Sequence, residues 1–140
     1  MYGKKTHSRR SRRERGQALV EFAFVVPIFL ILVLGMVDFG WALRSWITVT
    51  NSAREAARIG AVGASCDDVK QRAVDTSADL LTLTDVSVVN CQGDPGSDVE
   101  VTVSYEYSWL TPLVPMVNTF LLGSMPSTLT MTSTSDMRLE

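Results

Sequence analysis

The 140 residues contain one histidine, His7, and two cysteines, Cys66 and Cys91. There is no Cys-x-x-Cys, no Gly-x-Ser-x-Gly, no glycine-rich phosphate loop and no His/Cys/acid cluster at metal-ligating spacing. Nucleophilic, redox and metal-assisted chemistry need such groups held close together, so the reading is against an anchored enzyme, and neither cofactor nor metal is expected. Asp67 and Asp68 are adjacent carboxylates, but that pattern reads as the start of a helix rather than a cation site. Positive charge is scarce beyond the N-terminal end: residues 38–140 hold six Lys/Arg against thirteen Asp/Glu, and the pI is about 5.4. That balance excludes a nucleic-acid-binding body. No internal repeat is visible, and residues 22–37 carry no charge.

That uncharged stretch, FAFVVPIFLILVLGMV, organises the rest. Extended back to Ala18 it is twenty residues long with one ionisable group, Glu21. About twenty apolar residues in a helix match the ~30 Å hydrocarbon core of a bilayer, so residues 18–37 read as a membrane span. Seven Lys/Arg and a single acid, Glu14, precede it in residues 1–15. The positive-inside rule puts this basic leader in the cytoplasm and the acidic region beyond the span outside. Lipid and topology explain the basic run better than nucleic acid does. No small-x-small site follows the apolar run, Leu34-Gly35-Met36 being a poor substitute, so ordinary signal-peptide removal is not expected.

Periodicity sets the remaining elements. Residues 1–16 are the basic cytoplasmic leader, of which residues 1–15, too polar and too charged to build a core, read as disordered. Phe39, Leu43, Trp46/Ile47, Ala53, Ala57 and Ala61 fall near helical spacing, which carries the helix past the membrane over 17–62, with Gly60 and Gly63 as its stop. Trp41 and Trp46 suit the headgroup region just beyond the span. Ser65 or Asp67 can cap a second helix running to about residue 81. Val86, Val88 and Val89 read as a short strand, residues 92–98 as a Gly/Pro turn, and 99–107 as an alternating strand with Val99, Val101, Val103, Tyr105 and Tyr107 on one face. Pro112 and Pro115 break the next stretch, and residues 114–122 are apolar, either a short surface helix or an interaction loop. Residues 127–136 read as a third strand. The fold class is therefore α+β: a long transmembrane helix continuing into a small extracytoplasmic pilin-like domain (63–140) with a second helix and a short antiparallel sheet over the outer half of the long helix. Cys66 and Cys91 both fall outside, where an oxidising compartment favours a disulfide. The alternative is two buried free thiols.

Glu21 needs a partner. A carboxylate in an apolar span costs on the order of 2.5–3.5 kcal/mol at mid-helix and less near the interface. Snorkelling to the headgroup boundary is one solution. Cleavage after Gly16 is another: the new amino terminus of Gln17 would be a cation one helical turn from Glu21, on the same face. The cut would also shed the basic leader. Gly16 otherwise reads as a helix-entry residue. Pro27 lacks the N–H that would bond the carbonyl of Ala23 and is read as a helix kink. Asp38 sits at the outer interface or contacts a neighbouring subunit.

Gly16 followed by Gln17–Val20, Glu21 and Phe22 resembles a type IV prepilin processing site, in particular its Flp variant. The longer run GQALVEFAFVVPIFLILVLGMVDFG with NSAREAAR resembles the TadE-like family of tight-adherence (Tad/Flp) pilus systems, through Gly16, Glu21, Pro27, Asp38, Gly40 and Ala57–Arg58. This likeness covers about residues 16–60. It implies a minor pilin or pseudopilin cut at Gly16/Gln17 by a prepilin peptidase, with Glu21 acting in assembly. It further implies partners among other Tad/Flp pilins and inner-membrane Tad components, with membrane lipid around the span. The alternative it leaves open is a scaffold that keeps its leader.

Overall fold

The computed structural model describes residues 10–120, 123 and 125–139, with side chains described from residue 16 onward except that of residue 120. The first nine residues of the basic leader lie outside this range. The chain divides into two compact units, Met1–Met36 and Val37–Glu140.

Helix α1 runs over Arg10–Ala61 without interruption, passing through Pro27. It begins inside the segment read as a disordered leader. Arg, Glu and Gln lose little rotamer freedom in a helix, so residues 10–16 can extend the apolar helix behind them. In the first unit the apolar side chains of the span, such as Phe22, Phe24, Ile28 and Phe29, are exposed. α1 is the one described helix long and apolar enough to cross a membrane.

In the second unit α1 ends as expected at the glycines. Gly63 adopts φ +82°, its N–H donates to the Gly60 carbonyl at 3.0 Å, and that of Ala64 to the Ile59 carbonyl at 3.3 Å. This is the left-handed glycine stop that satisfies the last carbonyls of a helix. Helix α2 follows over Cys66–Thr76, capped by Ser65, whose hydroxyl accepts from the Asp68 N–H at 3.2 Å. It stops about five residues earlier than the periodicity suggests. The buried Ser77 hydroxyl donates to the Val74 carbonyl and accepts from the Leu81 N–H, and Ala78 and Asp79 both take positive φ, so the helical path cannot continue. A 3-10 turn, Leu83–Asp85, leads into the strands.

Strands β1 (Val86–Val89), β2 (Asp98–Ser108) and β3 (Thr128–Arg138) form an antiparallel sheet in the order β1-β2-β3. Val103 lies opposite Val86, and Tyr105 opposite Met131. Val99, Val101, Val103 and Tyr107 of β2 are buried. Val101 and Val103, with Val86, pack against Val49, Ala53, Ala56 and Ala57 of α1 and Val69 and Ala73 of α2, while Tyr107 packs with Ala42 and Met131. The apolar stretch before β3 forms a short helix, α3 (Leu113–Phe120).

Periodicity placed Ala53 and Ala57 in the buried stripe correctly and misassigned the turns nearer the apolar run. Phe39, Leu43, Trp46 and Ile47 are exposed, at 64%, 46%, 45% and 57%. The buried stripe is one position earlier: Asp38, Ala42, Ser45, Val49 and Ser52. It also holds 3.6-residue spacing, but its members are small or polar. They leave room for the sheet to approach, and bulky side chains at those positions would hold it off.

Candidate functional site

Asp38 is the residue at which the apolar run of α1 ends, and the structure gives it a role that its position alone does not suggest. It is 2% exposed. Its Oδ1 accepts from the backbone N–H groups of Leu110 and Thr111 at 3.1 and 3.0 Å, and its Oδ2 accepts from the Thr111 hydroxyl. Its own carbonyl accepts from the Tyr107 hydroxyl at 3.1 Å. The Thr111 hydroxyl oxygen in turn accepts from the Leu113 N–H at the start of α3. The expectation that Asp38 sits at the outer interface or contacts a neighbouring subunit did not foresee these intrachain partners. The carboxylate is buried within the chain and used up by donors far along the sequence.

Tyr107 and Trp109 meet edge to face, with ring centroids 5.8 Å apart. The Trp109 indole N–H donates to the Pro126 carbonyl at 2.9 Å. Asn118 closes the same loop from the other side, accepting from the Met125 N–H and donating to the Met125 carbonyl. Burial, with the Asp38 charge and Tyr105 adding to it, pushes the Tyr107 phenol above its ordinary pKa, which keeps it protonated as a donor. Thr111 and Tyr107 were not singled out as partners of Asp38 from the sequence. Thr111-Pro112 ahead of an apolar run is a helix-start pattern that points to α3, but nothing local pairs it with a residue on α1.

A second polar cluster joins α1 to α2. Glu55 accepts from Arg58 at 3.1 and 3.2 Å and from Arg72 of α2 at 2.6 Å. The i,i+3 pair Glu55–Arg58 is legible in the sequence, whereas the bridge to Arg72 is tertiary. The hydrogen bonds from Arg58 and then Arg72 hold the Glu55 carboxyl below the usual carboxylate range. Cys66 and Cys91 are joined, with Cα atoms 5.3 Å apart, and the bond ties the first turn of α2 to the end of β1.

Of the residues expected to form a processing site, Gly16 lies within α1, and a Cβ added there would meet nothing within 4 Å. Neither packing nor backbone conformation therefore demands glycine at this position. Gln17 and Glu21 are exposed, and the Gln17 side-chain N–H donates to Glu21 Oε1 at 3.3 Å across one turn. Pro27 lies within the uninterrupted helix. Among the described residues no group of three or more His, Cys, Asp and Glu is placed to hold a metal.

Comparisons with curated proteins and with solved structures gave no match. The family model described as TadE-like protein matches residues 16–58, the segment from the open glycine through the span and Asp38 to Arg58. The family is associated with Tad pilus assembly. Over residues 16–58 the chain is therefore similar to the TadE-like protein family, and the match does not extend to residues 59–140.

Proposed function

We propose that this chain is a minor pilin or pseudopilin of Tad (Flp) pilus assembly. In this reading it is made as a single-pass membrane protein with residues 1–16 in the cytoplasm and the second unit outside. A prepilin peptidase cuts it after Gly16, and Glu21 then acts in packing the subunit against other pilins and inner-membrane Tad components. The observation that carries the reading is the contact between Gln17 and Glu21. Their side chains already meet across one turn of an exposed helix face, so an ammonium created at Gln17 would lie within reach of the carboxylate. Neutralising the pair would offset the cost of a carboxylate in the span. The open space at Gly16 supports the same reading, because glycine is then there for a reason other than packing.

The uninterrupted helix across Gly16 favours a second reading, in which the leader is kept and the chain serves as a membrane scaffold of the same machine. The N-terminal sequence and intact mass of the protein from host membranes separate the two. A start at Gln17 supports the pilin, and a start at or near Met1 in piliated cells supports the scaffold. Gly16→Ala should block maturation without unfolding the helix, and unchanged maturation would sink the site. Glu21→Ala should insert normally and fail to enter the fibre. Normal incorporation would remove the charge-pair argument, as would cyclisation of Gln17, which abolishes its positive charge.

A further inference from the structure

Within an otherwise acidic region, residues 107–135 contain no charged side chain. α3 and its flanking loop lie in this stretch, and they expose apolar groups: Leu110 is 63% exposed, Met116 51% and Met125 40%. The location of these groups is set by Asp38. Its carboxylate binds the N–H groups of Leu110 and Thr111, so the entry to α3 is held at the residue where the apolar run of α1 ends. Phe39 and Trp41 are exposed on α1 itself just beyond that point, and the Arg44 guanidinium lies over the Trp41 ring, 5.0 Å from its centroid. Leu110 and Trp41 line the same surface depression. A tryptophan with a cation on its face suits the headgroup layer, where one side is apolar and the other wet.

We propose that α3, with Leu110 before it and Met125 after it, forms a second attachment to the bilayer, inserted into the interface of the leaflet from which the span emerges. The occupant is lipid because Asp38 follows directly on Val37, the last residue of the span, and its carboxylate binds the Leu110 N–H: a bilayer that takes in residues 18–37 reaches its headgroup layer at the residue that holds the entry to α3. The absence of charge from 107 to 135 fixes the mode of attachment. It is hydrophobic insertion of an apolar helix face, not attraction of basic residues to anionic headgroups, so it holds in zwitterionic lipid and at high salt. The second unit is thereby fixed against the membrane at two points instead of pivoting on one helix, and leaving the bilayer for a fibre requires both to be withdrawn.

The proposal rests on residues 18–37 spanning the membrane, and the test separates the two. The full chain, with its disulfide intact, is placed one copy per disc in phosphatidylcholine nanodiscs. A single added cysteine carries an environment-sensitive fluorophore at Met116→Cys, at Ser87→Cys on β1, or at Phe29→Cys in the span. The expected result is a blue-shifted Met116 probe, quenched by nitroxide attached to lipid and shielded from aqueous iodide, with no dependence on salt. The Ser87 probe is quenched by iodide and not by lipid. Adding Leu110→Asp should return the Met116 probe to iodide. If the Met116 probe behaves like Ser87 while Phe29 is quenched by lipid, the span stands and the second attachment is overturned. If Phe29 is not quenched by lipid, the span itself fails and the proposal falls with it. Shielding of Met116 that appears only when two copies share a disc assigns the face to protein contact and also overturns the proposal.

Discussion

The carboxylate of Asp38 accepts hydrogen bonds from both the backbone N–H and the hydroxyl of Thr111, seventy-three residues further along the chain. The two residues fix the start of α3 to the point where α1 turns from apolar to mixed composition. Removing the acceptor leaves the part-buried N–H groups of Leu110 and Thr111 without their partner. Asp38→Ala should therefore destabilise the second unit by about 2–4 kcal/mol, and Asp38→Asn, which keeps one carbonyl oxygen, by less. Thr111→Val should cost about 1–2 kcal/mol, because the backbone donor remains. Near-UV circular dichroism melts of the full chain in detergent would measure each loss. Additive effects in the double variant would show that the two residues act separately, contrary to the geometry.

How far the sequence carries can be judged from α1. Its existence, its apolar run and its stop at Gly63 follow from local chemistry, and so does the alternation of β2. The buried face followed only at Ala53 and Ala57. Phe39, Leu43 and Trp46 have the bulk expected of a core, yet Ala42, Ser45 and Ser52 are the residues inside. Periodicity identifies a stripe but not which of two adjacent stripes meets the sheet, and that choice depends on how closely the sheet can come. The role of Asp38 was hidden for a related reason. A carboxylate next to a span reads as solvated until its donors, which are set by tertiary structure, are known. The contact between Gln17 and Glu21 is legible because its logic is local, one helical turn.

Gly60 of α1 lies directly against Val99 of β2. A Cβ at Gly60 would sit 3.0 Å from one Val99 methyl and 3.3 Å from the other, and Val99 is fully buried. Gly60→Ala gains up to about 1 kcal/mol in helix propensity but overpacks the contact at a cost of about 1–3 kcal/mol. The net expectation is a loss of about 1 kcal/mol by combining the two. In a Val99→Ala background the clash is gone, and Gly60→Ala should become neutral or stabilising. A thermal-melt cycle of the four proteins checks the reversal of sign.

Acid should loosen the contact between α1 and α2. The Glu55 carboxyl is held below its ordinary pKa by Arg58 and Arg72. A depressed pKa in the folded state contributes stability above the unfolded value of about 4.3 and loses it as pH falls through the folded value. The midpoint of unfolding should therefore drop below about pH 4.3 more steeply in the parent protein than in Glu55→Gln. The parent's advantage over that variant should shrink with salt, since the pair is solvent-exposed. Identical acid slopes for the two proteins would show that Glu55 contributes nothing to the transition.

The bond between Cys66 and Cys91 links stability to topology. It closes a loop with a sequence separation of 25, and in the chain-entropy model that is worth ~3 kcal/mol. Cys66→Ser/Cys91→Ser should lower stability by about that amount with the fold retained, because Val69 and Ala73 still anchor α2 in the core. The same pair reports on which side of the membrane the second unit lies. Disulfides persist in oxidising compartments and are reduced in the cytosol. Alkylation of the protein in host membranes, before and after reduction, then gives opposite results for the two orientations. With the basic end in the cytoplasm, no thiol should be labelled until a reductant is added. Labelling of both cysteines without reductant would put the second unit in the cytosol, and the cleavage at Gly16 by a peptidase acting on the cytoplasmic face would have to be abandoned with that orientation.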